Sequence, residues 1–220
     1  MAQVLPNINP SWLYRYRALD KFEREIAAIE SATLFCAAYD RLKDPMEGLY
    51  FVTKKLLASE NYQKTIGLIA NTKANLGICS FSKSNLNEIM WAHYANQYQG
   101  VCIEYRFSRL LEDLDEDVTF ARMHYSERAP TAIAELQPER LAQSLLSYKN
   151  YRWFYEREWR MFGPHGEVHY NSVTCVRTVY LGIRITPQHQ GEIKRRLEPL
   201  GIEVKKMSLD KYSMEFDTCE

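Results

Sequence analysis

The chain has 220 residues, of which 46% are hydrophobic and 25% charged, a composition typical of a globular protein with a substantial core. Lys plus Arg and Asp plus Glu both number 28, so no global field attracts nucleic acid or an anionic membrane. The first residues lack the features of a secretory signal, and no apolar run approaches the roughly 20 residues that span a bilayer. We therefore expect one domain over residues 1–220, a cytoplasmic location and no membrane partner.

Residues 12–17, WLYRYR, alternate as a β-strand does. Leu13, Arg15 and Arg17 share one face, and Trp12, Tyr14 and Tyr16 share the other. Arg15 and Arg17 therefore occupy positions on one face where a strand in a protein core would carry apolar side chains. Two interpretations stay open: a strand that lines an anion-binding cleft, or an edge strand with solvated arginines.

The next part of the chain predicts a helix, a strand, a long helix and another strand. Asp20 is the expected cap of a helix with apolar positions at Phe22, Ile26 and Ile29. A buried strand follows at 33–38, a turn at 43–45 and a long helix from about 49 to 72. The strand at 76–82 ends with the hydroxyls of Ser80 and Ser82 on one face.

A short helix carrying Trp91, His93 and Tyr94 is predicted next, capped by Asn85 or Asn87. His93 is equally well interpreted as a base or ligand contact and as a packing histidine. Further strands are expected at 100–105, 118–125, 159–162, 173–181 and 202–205, and helices at 138–148 and 187–197. Because no regular βαβ rhythm appears, we predict an α+β fold with a mixed or mostly antiparallel sheet flanked by helices. Residues 13–17, 76–82, 100–105 and 159–162 should belong to one sheet.

The stretch 148–162, YKNYRWFYEREWRMF, concentrates aromatic and charged residues. On a strand, Glu156 and Glu158 would share a face and enter one pocket. On a helix, Glu156 would pair with Arg160 instead and the two carboxylates would diverge. Both alternatives stay open, as does a third in which the aromatic residues are core and the charges are solvated.

Common signatures of nucleotide binding, zinc proteases and serine hydrolases are absent from the sequence. The five cysteines are widely spaced without a CxxC motif, which predicts neither disulfides nor a cysteine metal site. His165 and His169 lie four residues apart, but neighbouring glycine and proline residues disfavour the helix that would let them chelate. We expect no metal site.

Several motifs together resemble a family of bacterial proteins known only as a domain of unknown function. They are LYRYRAL (13–19), DPMEG (44–48), CSFS (79–82), MWAHYANQYQGVCIEY (90–105) and WFYEREWR (153–160). The resemblance covers most of the chain from Leu13 to Arg160 and implies no chemistry of its own.

A second resemblance does imply chemistry. Arg15, the Ser80–Ser82 motif and the Glu156–Glu158 motif are similar, in the same order, to the arginine, Ser-x-Ser and Glu-x-Glu of ADP-ribosyltransferases of the arginine–serine–glutamate type. This resemblance implies an ADP-ribosyltransferase-like fold and NAD as the substrate. It also implies a macromolecular acceptor, either protein or nucleic acid.

The resemblance assigns catalytic roles to the two glutamates. Glu158 would stabilise the oxocarbenium-like sugar, and Glu156 would act as general base for the acceptor. Arg15 would pair with the pyrophosphate. The complete expected cofactor-binding set is Tyr14, Arg15, Ser80, Ser82, Trp91, His93 and Tyr94, with Trp91 or Tyr94 stacking on a ring of NAD. We expect Arg15, Ser80 and Glu158 to share one cleft, their tips within about 12 Å.

Two other function classes remain open. In a nucleic-acid-binding or processing protein, arginines such as Arg15, Arg157 and Arg160 would contact phosphates while Trp91 and Trp153 stack on bases. In a non-catalytic interaction module, the aromatic residues would serve packing alone. By analogy with other bacterial transferases of this size, a transferase would be a toxin or phage-defence effector with a possible antitoxin partner.

Overall fold

The computed structural model describes residues 3–4, 9–133 and 137–219. The helices are α1 (Phe22–Glu30), α2 (Lys54–Leu57), α3 (Tyr62–Asn75), α4 (Glu88–Tyr94), α5 (Phe107–Asp113), α6 (Pro138–Leu145) and α7 (Pro187–Leu197). Short 3-10 helices occupy Tyr39–Arg41, Tyr151–Glu156, Val173–Cys175 and Glu198–Leu200. Within the described ranges, no helix is both long enough and apolar enough to cross a bilayer.

The strands vary from two to eight residues in length. They are β1 (Gln3–Val4), β2 (Trp12–Arg17), β3 (Thr33–Ala38), β4 (Phe51–Val52), β5 (Gly77–Ser82), β6 (Val101–Arg106), β7 (Thr119–Arg122), β8 (His124–Ser126), β9 (Thr131–Ala132), β10 (Tyr148–Asn150), β11 (Glu158–Gly163), β12 (Gly166–His169), β13 (Val176–Leu181), β14 (Glu203–Asp210) and β15 (Ser213–Thr218).

Among the described residues, eleven strands form one mixed and mostly antiparallel sheet. Its main path is β1-β7-β11-β5-β2-β6-β13-β14-β15, with β3 paired to β5 and β12 paired to β3. The four strands predicted to share a sheet, now β2, β5, β6 and β11, are consecutive neighbours at its centre. The predicted α+β class is confirmed.

The sheet opens into a fork on one edge of β5. Strand β2 pairs with β5 only at Tyr14 and Ser82, whereas β3 pairs with the other end of β5 at Gly77 and Ile78. Between these two points, the described chain places no strand partner on this edge of β5. We call this opening the sheet fork.

The two faces of the sheet differ in chemistry. Directly opposed residues of paired strands share a face, so Leu13, Phe81 and Trp159 mark the apolar side. Helices α1, α5 and α7 bury residues such as Ile26, Leu110 and Ile193 in the same hydrophobic cluster as these three. The opposite face carries a polar row across five strands: Glu158, Ser82, Tyr14, Glu104 and Thr178.

The predicted helix over 49–72 is wrong, because this segment forms β4, α2 and α3. Thr53 has extended backbone and accepts a hydrogen bond from the Leu56 amide, which starts a new helix at Lys54. A turn then closes when the Tyr62 amide donates to the carbonyl of Ser59. Local side-chain and turn hydrogen bonds thus interrupt the apolar periodicity.

Other boundaries also differ. The first cap position of α1 is Lys21 rather than Asp20, and no side chain caps this helix. The strand predicted at 118–125 is divided between β7 in the large sheet and β8, which pairs with β10. The helix predicted to reach Tyr148 ends at Leu145, and the strand predicted from Val173 begins at Val176. The predicted strand at 202–205 extends to Asp210 and pairs with β15.

Asn87 provides a test of how α4 is fixed to the rest of the fold. Its Oδ1 accepts from the Met90 amide at 3.0 Å, and its Nδ2 donates to the Tyr155 carbonyl at 2.6 Å. Replacing Asn87 with Ala should lower the free energy of unfolding by about 1 to 2 kcal/mol, measured by urea titration. Asn87→Asp keeps the oxygen that caps the helix but loses the Nδ2 donor to the Tyr155 carbonyl. Its free energy of unfolding should therefore fall by less than that of the Ala variant. Equal stability of all three proteins would contradict this account.

Candidate functional site: a buried charge cluster beside a cavity

Arg160 is the centre of a buried group of charges. Its side chain is fully buried on β11, where Nε donates to Glu158 Oε1 at 2.8 Å and Nη1 donates to the Leu146 carbonyl at 2.7 Å. Nη2 donates to Glu47 Oε2. Since an unpaired guanidinium in the protein interior costs several kcal/mol, these acceptors are a condition for burying it.

Lys149 joins a third carboxylate to the same group. Its Nζ donates to Glu156 Oε2 and, at 3.0 Å, to Glu158 Oε2, and it lies 3.4 Å from Glu47 Oε1. All five residues, Glu47, Lys149, Glu156, Glu158 and Arg160, are less than a tenth exposed. We call these five residues the charge cluster; it has three carboxylates and two cations.

Neither the strand nor the helix alternative describes the Glu156–Glu158 segment. Glu156 ends a 3-10 helix, Arg157 adopts the left-handed conformation with φ of 45°, and Glu158 begins β11. The left-handed residue redirects the chain so that two glutamates from different elements bind the same lysine. The predicted convergence of the two carboxylates is therefore present without a shared strand.

The surroundings shift the carboxyl pKa values in opposite directions. Burial alone would raise the pKa of Glu158, but Arg160 and Lys149 outweigh it and lower that pKa to about 2. Burial raises the pKa of Glu47 and of Glu156 above the ordinary range, despite their cationic neighbours. Glu158 is thus firmly ionised, whereas Glu156 more readily takes up a proton.

Tyr94 on α4 completes the surroundings of Glu156. Its hydroxyl donates to Glu156 Oε1 at 2.5 Å, and burial together with Glu156 raises the pKa of this tyrosine. Lys43 Nζ lies 3.9 Å from the centre of the Tyr94 ring and donates to the His93 carbonyl. Both Glu156 oxygens are therefore bound by donors, which fixes the orientation of the carboxylate.

A cavity of about 590 Å³ lies against the charge cluster and extends into the sheet fork. Its volume is in the range of pockets that bind small molecules and cofactors. It is lined by residues of β2, β3 and β5, by residues 41–43 and by all five members of the charge cluster. We call it the main cavity.

The other end of the main cavity is rich in arginine. Arg17 and Arg24 line it and both bind Glu25, Arg17 through two hydrogen bonds of 2.6 Å. Arg15 spans the sheet fork and donates to the Phe35 carbonyl of β3 at 3.3 Å. Within the described chain, no carboxylate is hydrogen-bonded to Arg15, so its guanidinium retains donors for an anion.

Seven of the nine predicted site residues line the main cavity: Tyr14, Arg15, Ser80, Ser82, Tyr94, Glu156 and Glu158. Arg15 projects from the face of β2 opposite to the face of Tyr14 and Glu158. It reaches the same cavity because the sheet is open between β2 and β3. The fork therefore brings residues from both faces of the sheet to one space.

The two serines have different roles in the site. Ser82 is buried, and its hydroxyl donates to the Glu156 carbonyl at 2.8 Å, which holds the turn before β11 in place. Ser80 is partly exposed and lies opposite Arg160 on the paired strand. Its hydroxyl helps to lower the pKa of Glu158 by hydrogen bonding to it.

Trp91 and His93 do not line the main cavity, so the expectation that they bind the cofactor has no support in the geometry. Trp91 is fully buried, stacks on Tyr98 and donates its indole N–H to the Asn85 carbonyl at 2.8 Å. His93 points to the outer surface of α4, where its ring contacts Tyr155. Helical geometry places Tyr94 toward the cavity and His93 away from it.

The transferase site expected from the sequence did not include Glu47, Lys149 and Arg160, which line the main cavity. Arg160 carried a usable signal, because it interrupts the otherwise apolar run of Trp159, Met161 and Phe162. Glu47 and Lys149 had no comparable signal, since Glu47 meets Arg160 across 113 positions of sequence.

No cluster of three or more histidine, cysteine or acidic residues suited to a metal ion occurs in the described parts of the chain. Glu47, Glu156 and Glu158 do converge, but the ammonium of Lys149 occupies the space between them. The arrangement therefore provides a fixed protein cation where a metal-dependent site would hold its ion.

Comparison with known proteins gives one family match. Residues 90–161 match the model of a family described as a protein of unknown function (DUF2971). This range contains Tyr94, Lys149 and the other cluster residues except Glu47, and it supports the predicted resemblance to a domain-of-unknown-function family. No curated protein and no solved structure gives a significant match to the chain.

Arg160→Met should test how far the fold depends on the charge cluster. The substitution leaves Glu47 and Glu158 buried with one cation instead of two, so the free energy of unfolding should fall by about 3 to 5 kcal/mol. Arg160→Lys should lose less stability than Arg160→Met, because lysine keeps the positive charge. Arg195→Met, which removes an exposed ion pair with Glu192, is the control and should unfold like the wild type. Wild-type stability of Arg160→Met in urea would refute this dependence.

The low pKa of Glu158 predicts a specific response to acid. Its folded-state pKa, about 2, is below the ordinary value, so its charge stabilises the fold above pH 5 and this contribution disappears as the pH falls toward 2. Glu158→Gln lacks the contribution at every pH. The stability gap between the two proteins should therefore shrink by about 2 kcal/mol from pH 6 to pH 3, measured by urea unfolding. A gap that is constant with pH would show that Glu158 is not held ionised by its neighbours.

Proposed function

We propose that the protein is an NAD-dependent ADP-ribosyltransferase with an ADP-ribosyltransferase-like fold. In this reaction a nucleophile on a macromolecule displaces nicotinamide from the ribose carbon of NAD. The bond to nicotinamide breaks, its electron pair stays on the ring nitrogen, and ADP-ribose becomes attached to the acceptor.

The distribution of charge along the main cavity is the observation that carries this proposal. At one end the charge cluster has one carboxylate more than it has cations, and at the other end no carboxylate of the described residues is hydrogen-bonded to Arg15. A ligand with a cationic end and an anionic middle complements both ends. NAD has this pattern, because its nicotinamide ring is positively charged and its diphosphate is negatively charged.

Glu158 is the proposed electrostatic catalyst. Positive charge grows on the ribose as nicotinamide leaves, and an oriented carboxylate stabilises that charge where it develops. Arg160 and Lys149 keep Glu158 ionised and limit its movement. This preorganisation avoids the reorganisation that a solvated carboxylate would undergo.

Glu156 is the proposed general base. Its raised pKa suits a group that must accept a proton from the attacking nucleophile near neutral pH. Tyr94 and Lys149 orient the carboxylate by donating to its two oxygens. Proton uptake on Glu156 also relieves the excess negative charge of the cluster.

The remaining proposed roles belong to four other residues that line the main cavity. Arg15 pairs with the diphosphate through its planar guanidinium, and Ser80 orients both the ribose and Glu158. Tyr14 pairs with Ser82 at the apex of the sheet fork and lines the main cavity, and its proposed role is to contact the sugar. Tyr94 replaces Trp91 as the aromatic residue available to the nicotinamide.

The functional test is consumption of NAD by the purified protein, followed as release of nicotinamide. Glu158→Gln keeps the volume of the side chain but removes the charge that the transition state needs. The value of kcat should fall at least about 100-fold, the penalty typical of losing one group that stabilises a transition state. Glu156→Gln should reduce transfer to the acceptor while slow hydrolysis of NAD persists.

Glu203→Gln is the control for both variants. Glu203 begins β14 outside the main cavity, where its carboxylate accepts a hydrogen bond from Thr178 and pairs with Lys205. We expect its kcat to remain close to wild type. Urea unfolding of each variant separates loss of catalysis from loss of fold. A folded Glu158→Gln protein with wild-type kcat would refute the catalytic role.

A further inference from the structure

A second, smaller cavity of about 130 Å³ reaches the charge cluster from another direction. Glu47 and Lys149 line both cavities and therefore form the wall between them. The rest of the small cavity is formed by the segments 44–49, 126–130 and 148–150. Two cavities of very different volume therefore border the charge cluster on two sides.

The size and charge of the small cavity restrict what it can hold. Its volume is below the 300 Å³ or so of typical cofactor pockets and suits a single amino-acid side chain. Asp44, Glu47 and Glu127 line it against two cations, Arg128 and Lys149. Carboxylates in this number disfavour a nucleic-acid backbone, because phosphates would meet like charge.

The mouth of the small cavity is apolar and exposed. Met46 and Leu49 belong to its lining and are 49% and 58% exposed, and the neighbouring Phe51 is 63% exposed. Ala129 and Pro130 form the facing side, where the Pro130 carbonyl accepts from the Phe51 amide. An exposed apolar rim around a polar pocket is typical of a surface that binds another protein.

We propose that the small cavity receives the nucleophilic side chain of a protein acceptor, an inference that rests on the proposed transfer reaction. In an in-line displacement at the sugar carbon, the nucleophile approaches from the side away from the leaving group. With NAD in the main cavity, the small cavity supplies this second approach. Met46, Leu49 and Phe51 then bind the acceptor surface around the inserted side chain.

The proposed reaction takes place beside Glu47 and Lys149, the wall between the two cavities, and each bond and proton in it is accounted for. Lys149 forms part of this wall and its ammonium binds Glu156, so the proposed base lies directly behind the wall that the acceptor side chain meets. The acceptor atom forms a bond to the ribose carbon, and nicotinamide leaves with the electron pair of its bond. The proton of the acceptor passes to Glu156.

The test compares two products of one reaction. Wild type and variants are incubated with NAD, labelled in its adenylate part, and with bacterial cell extract, and both protein-bound label and free nicotinamide are measured. Ala129→Trp plugs the small cavity, and Leu49→Ser removes part of its apolar rim. Both should lower protein-bound label by at least about tenfold and leave nicotinamide release in the absence of extract within about twofold of wild type.

Matched controls are Ala74→Trp and Leu209→Ser, which make the same changes at exposed positions of α3 and β14 remote from either cavity. Both should label protein as wild type does. Protein labelling that persists in Ala129→Trp and Leu49→Ser overturns the inference, as does label found only in nucleic acid or only in free ADP-ribose. Absence of NAD consumption by the wild type overturns the proposed function itself, and the inference fails with it.

Discussion

Arg160 sets the main physical constraint on this structure, because a guanidinium with no exposed surface must have acceptors from every direction. Those acceptors come from β11 itself, from the turn at Glu47 and from the end of α6 at Leu146. The strand can be central in the sheet only when all three segments are in place. The charge cluster therefore joins the turn at Glu47 and the end of α6 to β11, in addition to the hydrophobic cluster that Leu146 and Phe162 share.

The sheet fork and the charge cluster depend on each other. A closed sheet would pair β5 along its whole edge and leave no space beside Ser80 and Glu158. The divergence of β2 from β3 opens that space, and Arg15 spans it by donating to Phe35. Glu158, Ser82 and Tyr14 of the polar row and Arg15 on the other face thereby reach a common cavity, whereas a continuous sheet would keep them apart.

Much of the sheet was predictable because its strands have strong local patterns. The alternation of WLYRYR and the apolar content of GICSFS and VCIEYR identified β2, β5 and β6 within one or two residues. The segment between Leu49 and Thr72 was not predictable from periodicity, since the Thr53 cap and the turn at Ser59 override it. Local hydrogen bonds decided the structure where the apolar pattern was ambiguous.

The site was only partly predictable, and the reason is geometric. Arg15, Ser80 and Glu158 were recognised by their order, and they do line one cavity. The bend between Glu156 and Glu158 depends on a left-handed Arg157, a conformation that arginine rarely adopts and that no local residue pattern indicates. The contacts of Glu47 with Lys149 and Arg160 exist only after the chain has folded.

The uneven number of charges in the cluster connects its structure to its proposed chemistry. Apolar side chains of similar volume often stabilise a core as well as a buried ion pair does, so stability alone does not explain five buried charges. A third carboxylate beside two cations adds a further cost, and burial, together with repulsion from Glu158, raises the pKa values of Glu47 and Glu156. A cationic ligand bound beside the cluster offsets this electrostatic cost of the surplus carboxylate. A sugar that becomes positive during reaction removes more of it as its charge grows, so the cluster favours the transition state over the bound substrate.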